Sequence, residues 1–378
     1  MKKKWLLPIV ILVTFFIKVN TALALETLAK QVVLLDMTTG TVLFSKNADA
    51  LMTPSSMSKI MTVYKLFERL KDGSLSLTDT FSVSEKAWRK KGSKMFVRVK
   101  SRIKIEDLIR GIIVQSGNDA TIVVAEGLSG SEAAFADELN KTAKKLGMTN
   151  SNFVNASGWP DPGHLTTARD LAKLAVATIK DFPSFYHYYS EKSFTYNGIK
   201  QGNRNPTIYR NIGADGLKTG HTEAGGYGLT TSSIRKDRRL ILVVNGLPSK
   251  KARATEPERL LDWGFREFKN YKLFKAGETI TNVKVWMGDS GSIPILIKKD
   301  LVLTLQRHVR KGMKVKVVVN SPVSAPITKG DVLGILKIET PNHKSLEFPL
   351  VSGVSVKKLG LFSKLGAGIE YVLWGETR

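Results

Sequence analysis

The chain has 378 residues, 42% hydrophobic and 24% charged, with no low-complexity tract, which is enough for two domains and a substantial core. Its formal net charge of +25 points to an acidic polymer or an anionic membrane; the basic residues are dispersed and no DNA- or RNA-binding signature is present, so nucleic acid is not an expected partner. There is no cysteine, which excludes disulfide and thiol chemistry.

Lys2, Lys3 and Lys4 precede an apolar run over residues 5–17, the size of a secretory signal core and short for a membrane span. Ala22-Leu23-Ala24 is a small-x-small cleavage pattern. Residues 1–24 are therefore expected to be a signal peptide, with the mature chain starting at Leu25 on the periplasmic face of the inner membrane. That segment carries four lysines and no acid, so the mature chain keeps +21.

Residues 32–35 and 42–44, around a turn containing Gly40, read as two strands. Residues 53–62 read as a loop running into a helix that ends near Asp72-Gly73. Pro54 suits a first turn, and Ser55 or Ser56 can cap the exposed amides. On such a helix Ser56 and Lys59 share a face. Residues 81–104 are basic and irregular and read as a surface segment with short strands. From Ile105 the stripe Leu108, Ile109, Ile112 and Ile113 is helical. Gly117 breaks that helix, and Asn118 or Asp119 starts the next. Residues 131–146 read as a further helix without a capping box.

Residues 155–164 form a loop dense in turn residues. Thr166 or Thr167 caps a helix carrying Leu171, Leu174, Ala175 and Ile179. Residues 186–206 read as loop. Residues 216–222, 227–232 and 240–244 read as a hairpin whose nearly all-apolar strand lies in the centre of a sheet. A helix is expected over 256–268. Near 275 the texture changes to short β runs up to about 349, the spacing of a small all-β sandwich or barrel. In 356–374, Leu361, Phe362, Leu365, Ile369, Val372 and Leu373 recur at helical spacing, with lysines to one side. About 15–18 residues at 1.5 Å each fall short of a bilayer, so this reads as an amphipathic helix lying in the membrane interface. The division expected is 25–275, 276–355 and 356–378.

Ser-x-x-Lys alone is weak, because it occurs four times: Ser56/Lys59, Ser101/Lys104, Ser233/Lys236 and Ser355/Lys358. Only the first sits at a helix start and is followed by Ser116-x-Asn118 at a helix break and Lys218-Thr219-Gly220 at the head of an apolar hairpin, at intervals of 60 and 102 residues. The set makes chemical sense. A serine hydroxyl needs a neighbour to take its proton. Lys59, near a second cation at Lys218, is expected to have a depressed pKa and to act as that base. Ser116 can relay a proton to a leaving amine. Asn118 can bond both Lys59 and a substrate amide. Lys218 offers positive charge, and Thr219 a hydroxyl, to a substrate carboxylate. Gly220 permits close approach of the strand backbone. The amides of Ser56 and His221 are the expected oxyanion donors. The histidines at 164, 187, 221, 308 and 343 show no metal-ligand spacing, and neither a metal nor a cofactor is expected.

Ser56-x-x-Lys59, Ser116-x-Asn118 and Lys218-Thr219-Gly220 resemble the three motifs of the penicillin-binding proteins and serine β-lactamases. The longer strings at 54–59 and 215–222 resemble the low-molecular-mass serine-type D-alanyl-D-alanine carboxypeptidases, over nearly all of the expected mature chain. The resemblance implies an α+β peptidase domain, with an antiparallel sheet flanked by helices, then a small all-β domain and a C-terminal membrane-anchoring helix. It implies removal of the terminal D-alanine from peptidoglycan stem peptides through an acyl-enzyme on Ser56, and acylation by β-lactams. It also implies that Arg253 helps hold the substrate carboxylate. Some members carry His where Ser157 stands. A β-lactamase, a DD-endopeptidase or transpeptidase, and a non-catalytic wall-binding protein are the alternatives. The absence of Glu from 155–164 counts against a class A β-lactamase, and a binding protein has no need of Lys59 or Ser116.

Overall fold

The computed structural model describes residues 25–341 and 344–360. The expected signal peptide and residues 361–378 of the expected C-terminal helix lie outside the described residues.

The N-terminal strands form as the turn at Gly40 requires: β1 (Gln31–Asp36) pairs antiparallel with β2 (Val42–Lys46). A one-turn 3-10 helix over Ser55–Ser58 then leads into α1 (Lys59–Lys71), whose C-cap is Asp72. Neither Ser55 nor Ser56 caps with its side chain; the turn closes through Met57 N–H donating to the Pro54 carbonyl. The 81–104 segment is more ordered than its sequence suggests. It contains β3 (Thr80–Ser82), α2 (Glu85–Arg89) and β4 (Arg102–Lys104), and Met95, Val97 and Ile103 are buried. Helices α3 (Ile105–Ile113) and α4 (Asn118–Ser129) flank the break at Ser116-Gly117. Ser131 caps α5 (Glu132–Lys145) by accepting from Ala134 N–H, so the cap forms without a capping box. Thr167 caps α6 (Ala168–Asp181) in the same way, through Asp170 N–H.

Residues 186–206 are not simple loop. Tyr186, Tyr188 and Tyr189 form a buried turn packed on Phe67, and a small hairpin follows, β5 (Ser193–Tyr196) with β6 (Ile199–Gly202). Then come β7 (Ala214–Thr222), β8 (Gly226–Arg235) and β9 (Arg238–Leu247), and α7 (Lys250–Glu267) capped by Ser249. The helix expected from 256 therefore begins six residues earlier, and Arg253 stands in its first turn.

The main sheet has the order β2-β1-β9-β8-β7, so β9 is central and β7 is an edge. Both faces are covered. Val33, Ile241 and Val243 pack into the core under α1, α3, α4 and α6, while Val32, Leu34, Leu240, Leu242 and Val244 pack under α7. That two-sided burial is why the β9 sequence is apolar at both parities.

The C-terminal region has its own core. Its strands are β10 (Phe268–Phe274), β11 (Thr279–Trp286), β12 (Ser292–Ile297), β13 (Leu301–Gln306), β14 (Lys314–Val319), β15 (Val323–Ser324), β16 (Val332–Glu339) and β17 (Leu346–Ser352). A six-stranded sheet runs β14-β16-β17-β12-β11-β15, beside the β10-β13 pair. The strand pairing of this region thus begins at Phe268, one strand ahead of the composition change at 275. Residues 356–360 are not helical: Val356 bridges to Ile327 and Lys358 to Gly288, which places them with the β region. No helix among the described residues is long and apolar enough to cross a membrane.

Candidate active site

Three segments far apart in sequence meet where α1, the α3–α4 break and the edge strand β7 converge. A cleft of about 600 Å³ is lined by Ser56, Ser93, Ser116, Arg204, Thr219, Gly220, His221, Tyr227, Lys250 and Arg253. A second hollow of about 800 Å³ shares Ser56, Ser93 and His221, and extends past Asn118 to Trp159 and the 160–162 turn. Ser56 thus stands between two depressions, one cationic and one more apolar.

Lys59 is fully buried as the first residue of α1, directly behind Ser56. Its Nζ lies 2.8 Å from Ser56 Oγ, 2.7 Å from Asn118 Oδ1 and 2.8 Å from the Ser157 carbonyl. The last two can only accept. Asn118 is oriented for this, because its Nδ2 donates to the Lys91 carbonyl at 3.0 Å. A neutral amine therefore spends its two N–H groups on Asn118 and Ser157 and turns its lone pair to the Ser56 hydroxyl. Protonated, it gives its third N–H to Ser56 Oγ, so one geometry serves both ends of a proton transfer. Burial holds the Lys59 amine well below the ordinary lysine range; Arg204 and Lys90 add to this, and Asp119 partly offsets it.

Lys218 is buried on β7, and its Nζ donates to the Thr219 carbonyl at 3.3 Å. Burial pushes its pKa well down, with Lys59, Arg204 and Arg253 adding repulsion. The buried lysines and nearby arginines disfavour each other's charge, and a bound substrate carboxylate would offset that repulsion. The guanidinium groups keep theirs. Arg253 donates from Nη1 to the Gly220 carbonyl at 3.3 Å and lies over Tyr227, while its Nε is buried without a hydrogen-bond partner among the described residues.

Ser116 sits in the α3–α4 break with φ +59° and lines the cleft. Thr219, Gly220 and His221 lie on the outermost strand, where one row of backbone N–H groups has no sheet neighbour. The close approach expected at Gly220 is real, but it is toward the serine loop: an added Cβ would lie 2.7 Å from the Pro54 carbonyl.

Sequence reasoning missed four parts of this site. Arg204 enters the cleft from a turn with no motif and donates to Ser93 Oγ. Ser93 lies on the wall formed by residues 92–97. Asp119 fastens that wall by accepting from Met95 N–H at 2.8 Å, Phe96 N–H at 2.9 Å and Val97 N–H at 3.2 Å. A lone acid entering the apolar run of α4 was the available signal for it. The 155–159 turn is the fourth part. Asn155 Oδ1 accepts from the amides of Ser157, Gly158 and Trp159 at 3.1, 2.8 and 3.0 Å, which aims the Ser157 carbonyl at Lys59.

Residues 18–249 match the D-alanyl-D-alanine carboxypeptidase family model, and 268–358 match that of the penicillin-binding protein 5 C-terminal domain. The chain belongs to the D-alanyl-D-alanine carboxypeptidase family. It is 37% identical over 346 residues to D-alanyl-D-alanine carboxypeptidase DacC of Escherichia coli strain K12, covering 89% of this chain and 86% of that one. The fold superimposes on penicillin-binding protein 5 of Haemophilus influenzae with a TM-score of 0.80 at 35% identity, over 88% of this chain and 98% of the other. It also superimposes on the ampicillin-bound form of penicillin-binding protein D2 of Listeria monocytogenes with a TM-score of 0.59 at 29% identity, over 64% and 98%. In this family's terms the other Ser-x-x-Lys matches are ordinary structure: Lys104 ends β4, Ser233/Lys236 spans the β8–β9 turn, and Ser355/Lys358 lies in the C-terminal β region.

Proposed function

We infer that this protein is a serine-type D-Ala-D-Ala carboxypeptidase of cell-wall metabolism that removes the terminal D-alanine from peptidoglycan stem pentapeptides through an acyl-enzyme on Ser56. The observation that carries the assignment of roles is the Lys59 amine, dry and held against Ser56 Oγ by two obligate acceptors.

The C-terminal carboxylate of the peptide enters the cationic cleft, against Thr219, Arg204 and Arg253. Ser56 Oγ attacks the carbonyl carbon of the penultimate D-alanine while Lys59 takes its proton. The amides of Ser56 and His221 hold the oxyanion. The C–N bond breaks, and the leaving amine takes a proton through Ser116. Water then attacks the ester, releases the shortened peptide and returns a proton to Ser56. Asn118 fixes Lys59 and the substrate amide. A β-lactam follows the same first steps and stalls at the ester.

The same reading makes residues 1–24 a signal peptide and the segment 356–378 an anchor on the periplasmic face of the inner membrane. The catalytic unit ends, and the β domain begins, near the α7–β10 junction. The test is D-alanine release from a pentapeptide by wild type and Ser56→Ala, alongside cross-linked dimers as substrate. Release by wild type alone is expected; cleavage of dimers without release would make it an endopeptidase instead.

A further inference from the structure

His164 is fully buried and touches neither depression. Its ring packs edge-on against Phe153 and sits in a chain of hydrogen bonds that ends at the carbonyl of the residue before the nucleophile. Val154 N–H donates to Nδ1 at 3.2 Å, so Nδ1 is the bare nitrogen. Nε2 lies 2.8 Å from Ser58 Oγ, which lies 2.8 Å from the Ser55 carbonyl. A carbonyl only accepts, so the Ser58 proton goes to Ser55 and Nε2–H donates to Ser58. Burial pushes the His164 pKa down to about 4, with Lys59 adding repulsion and Asp161 opposing, so the ring is neutral at ordinary pH.

The far end of the chain is the peptide unit joining Ser55 to Ser56. That bond is trans, so its C=O and N–H point in opposite directions. Anchoring the Ser55 oxygen inward turns the Ser56 N–H outward to the cleft. The anchoring is needed because Ser55 is held at φ +51°, a left-handed conformation that costs a non-glycine residue about 1 kcal/mol or more. Gly158 closes the other side, for a Cβ there would lie 1.8 Å from the Ser55 oxygen and 2.9 Å from Ser58 Oγ.

We propose that His164 is a positioning residue that, through Ser58 and the Ser55 carbonyl, aims the Ser56 amide at the developing oxyanion. This rests on the acyl-enzyme reading above.

The test compares wild type, His164→Phe, His164→Gln, Ser58→Ala and the Phe/Ala double variant. The readouts are kcat and KM for D-alanine release, the acylation rate with a labelled penicillin, inhibition by a boronic-acid peptide analogue, and the unfolding midpoint. His164→Phe should lower kcat about 10- to 100-fold with KM nearly unchanged, as expected for a misaimed donor. The boronate should weaken by the same factor, since its tetrahedral adduct places an oxygen where the oxyanion forms. His164→Gln, whose amide N–H can replace Nε2–H, should recover most of the rate. The double variant should be no slower than either single one. Unchanged kcat in His164→Phe, additive losses in the double variant, or no rescue by Gln would overturn the proposal. If His164→Phe does not fold, Ser58→Ala must show the same split between kcat and KM. If wild type releases no D-alanine, the functional reading fails on its own, while the penicillin acylation rates still decide the positioning role.

Discussion

Replacing Asp119 by Asn should loosen the wall of the site while leaving every proposed reacting group in place. The Asp119 carboxylate accepts from Met95 and Ala120 N–H through Oδ1, and from Phe96 and Val97 N–H through Oδ2. An asparagine can keep its oxygen on only one side. With the oxygen toward Phe96 and Val97, its NH₂ group faces the Met95 and Ala120 amides. The buried Met95 N–H then loses its acceptor, which costs about 1–3 kcal/mol. The two surviving bonds lose charge assistance, roughly 1 kcal/mol more. The total is about 3 kcal/mol. At roughly 2–4 °C per kcal/mol for a domain of 150–250 residues, the midpoint should fall by roughly 6–12 °C. Differential scanning calorimetry reads this directly. Penicillin acylation at a temperature where the variant is folded should slow by about tenfold, because residues 92–97 carry Ser93 and back onto Asn118. A midpoint within about 2 °C of wild type, with unchanged acylation, would refute the claim that this carboxylate holds the wall.

Three further outcomes follow from the charges. The neutral Lys59 amine is the proposed base and its pKa is depressed, so acylation should rise with pH through a limb well below the usual lysine pKa of 10.5; a limb at or above that value would contradict the proposed role. His164 titrates at about 4 folded, against 6.5 for the unperturbed group, so the unfolded chain binds the extra proton between those values. Stability should therefore fall by about 3 kcal/mol on acidification from pH 6.5 to 4 at this residue, and His164→Gln should flatten that part of the stability profile. Arg253→Gln should raise KM about tenfold for a peptide with a free C-terminal carboxylate and leave an amidated analogue nearly unaffected; equal effects on both would show that the guanidinium does not read the carboxylate.

What the sequence made legible was local. Ser56 and Lys59 sit one turn apart, and β9 announces its central place by being apolar at both parities. The misreadings came from contacts between distant segments. Tyr186, Tyr188 and Tyr189 look like loop residues until Phe67 is packed against Tyr188 and Tyr189, and Tyr186 against Tyr189. The first turns of α7 are charged and precede an internal Pro257, which hid the true start at Lys250. β10 continues directly from α7 with no composition break, and its pairing with β13 is what assigns it to the C-terminal region. Arg204 carries no motif, and only the fold brings it to the cleft. The Ser157 carbonyl was invisible because it acts through the backbone, so its side chain can differ from the histidine of some relatives without changing the bond to Lys59.

The central claim is that Ser56, deprotonated by Lys59, forms a covalent acyl-enzyme. Incubation with a labelled penicillin followed by peptide mass spectrometry tests it most directly. The account predicts one adduct, on Ser56, absent in Ser56→Ala and formed far more slowly in Lys59→Met. An adduct on another residue, or its persistence in Ser56→Ala, would contradict it.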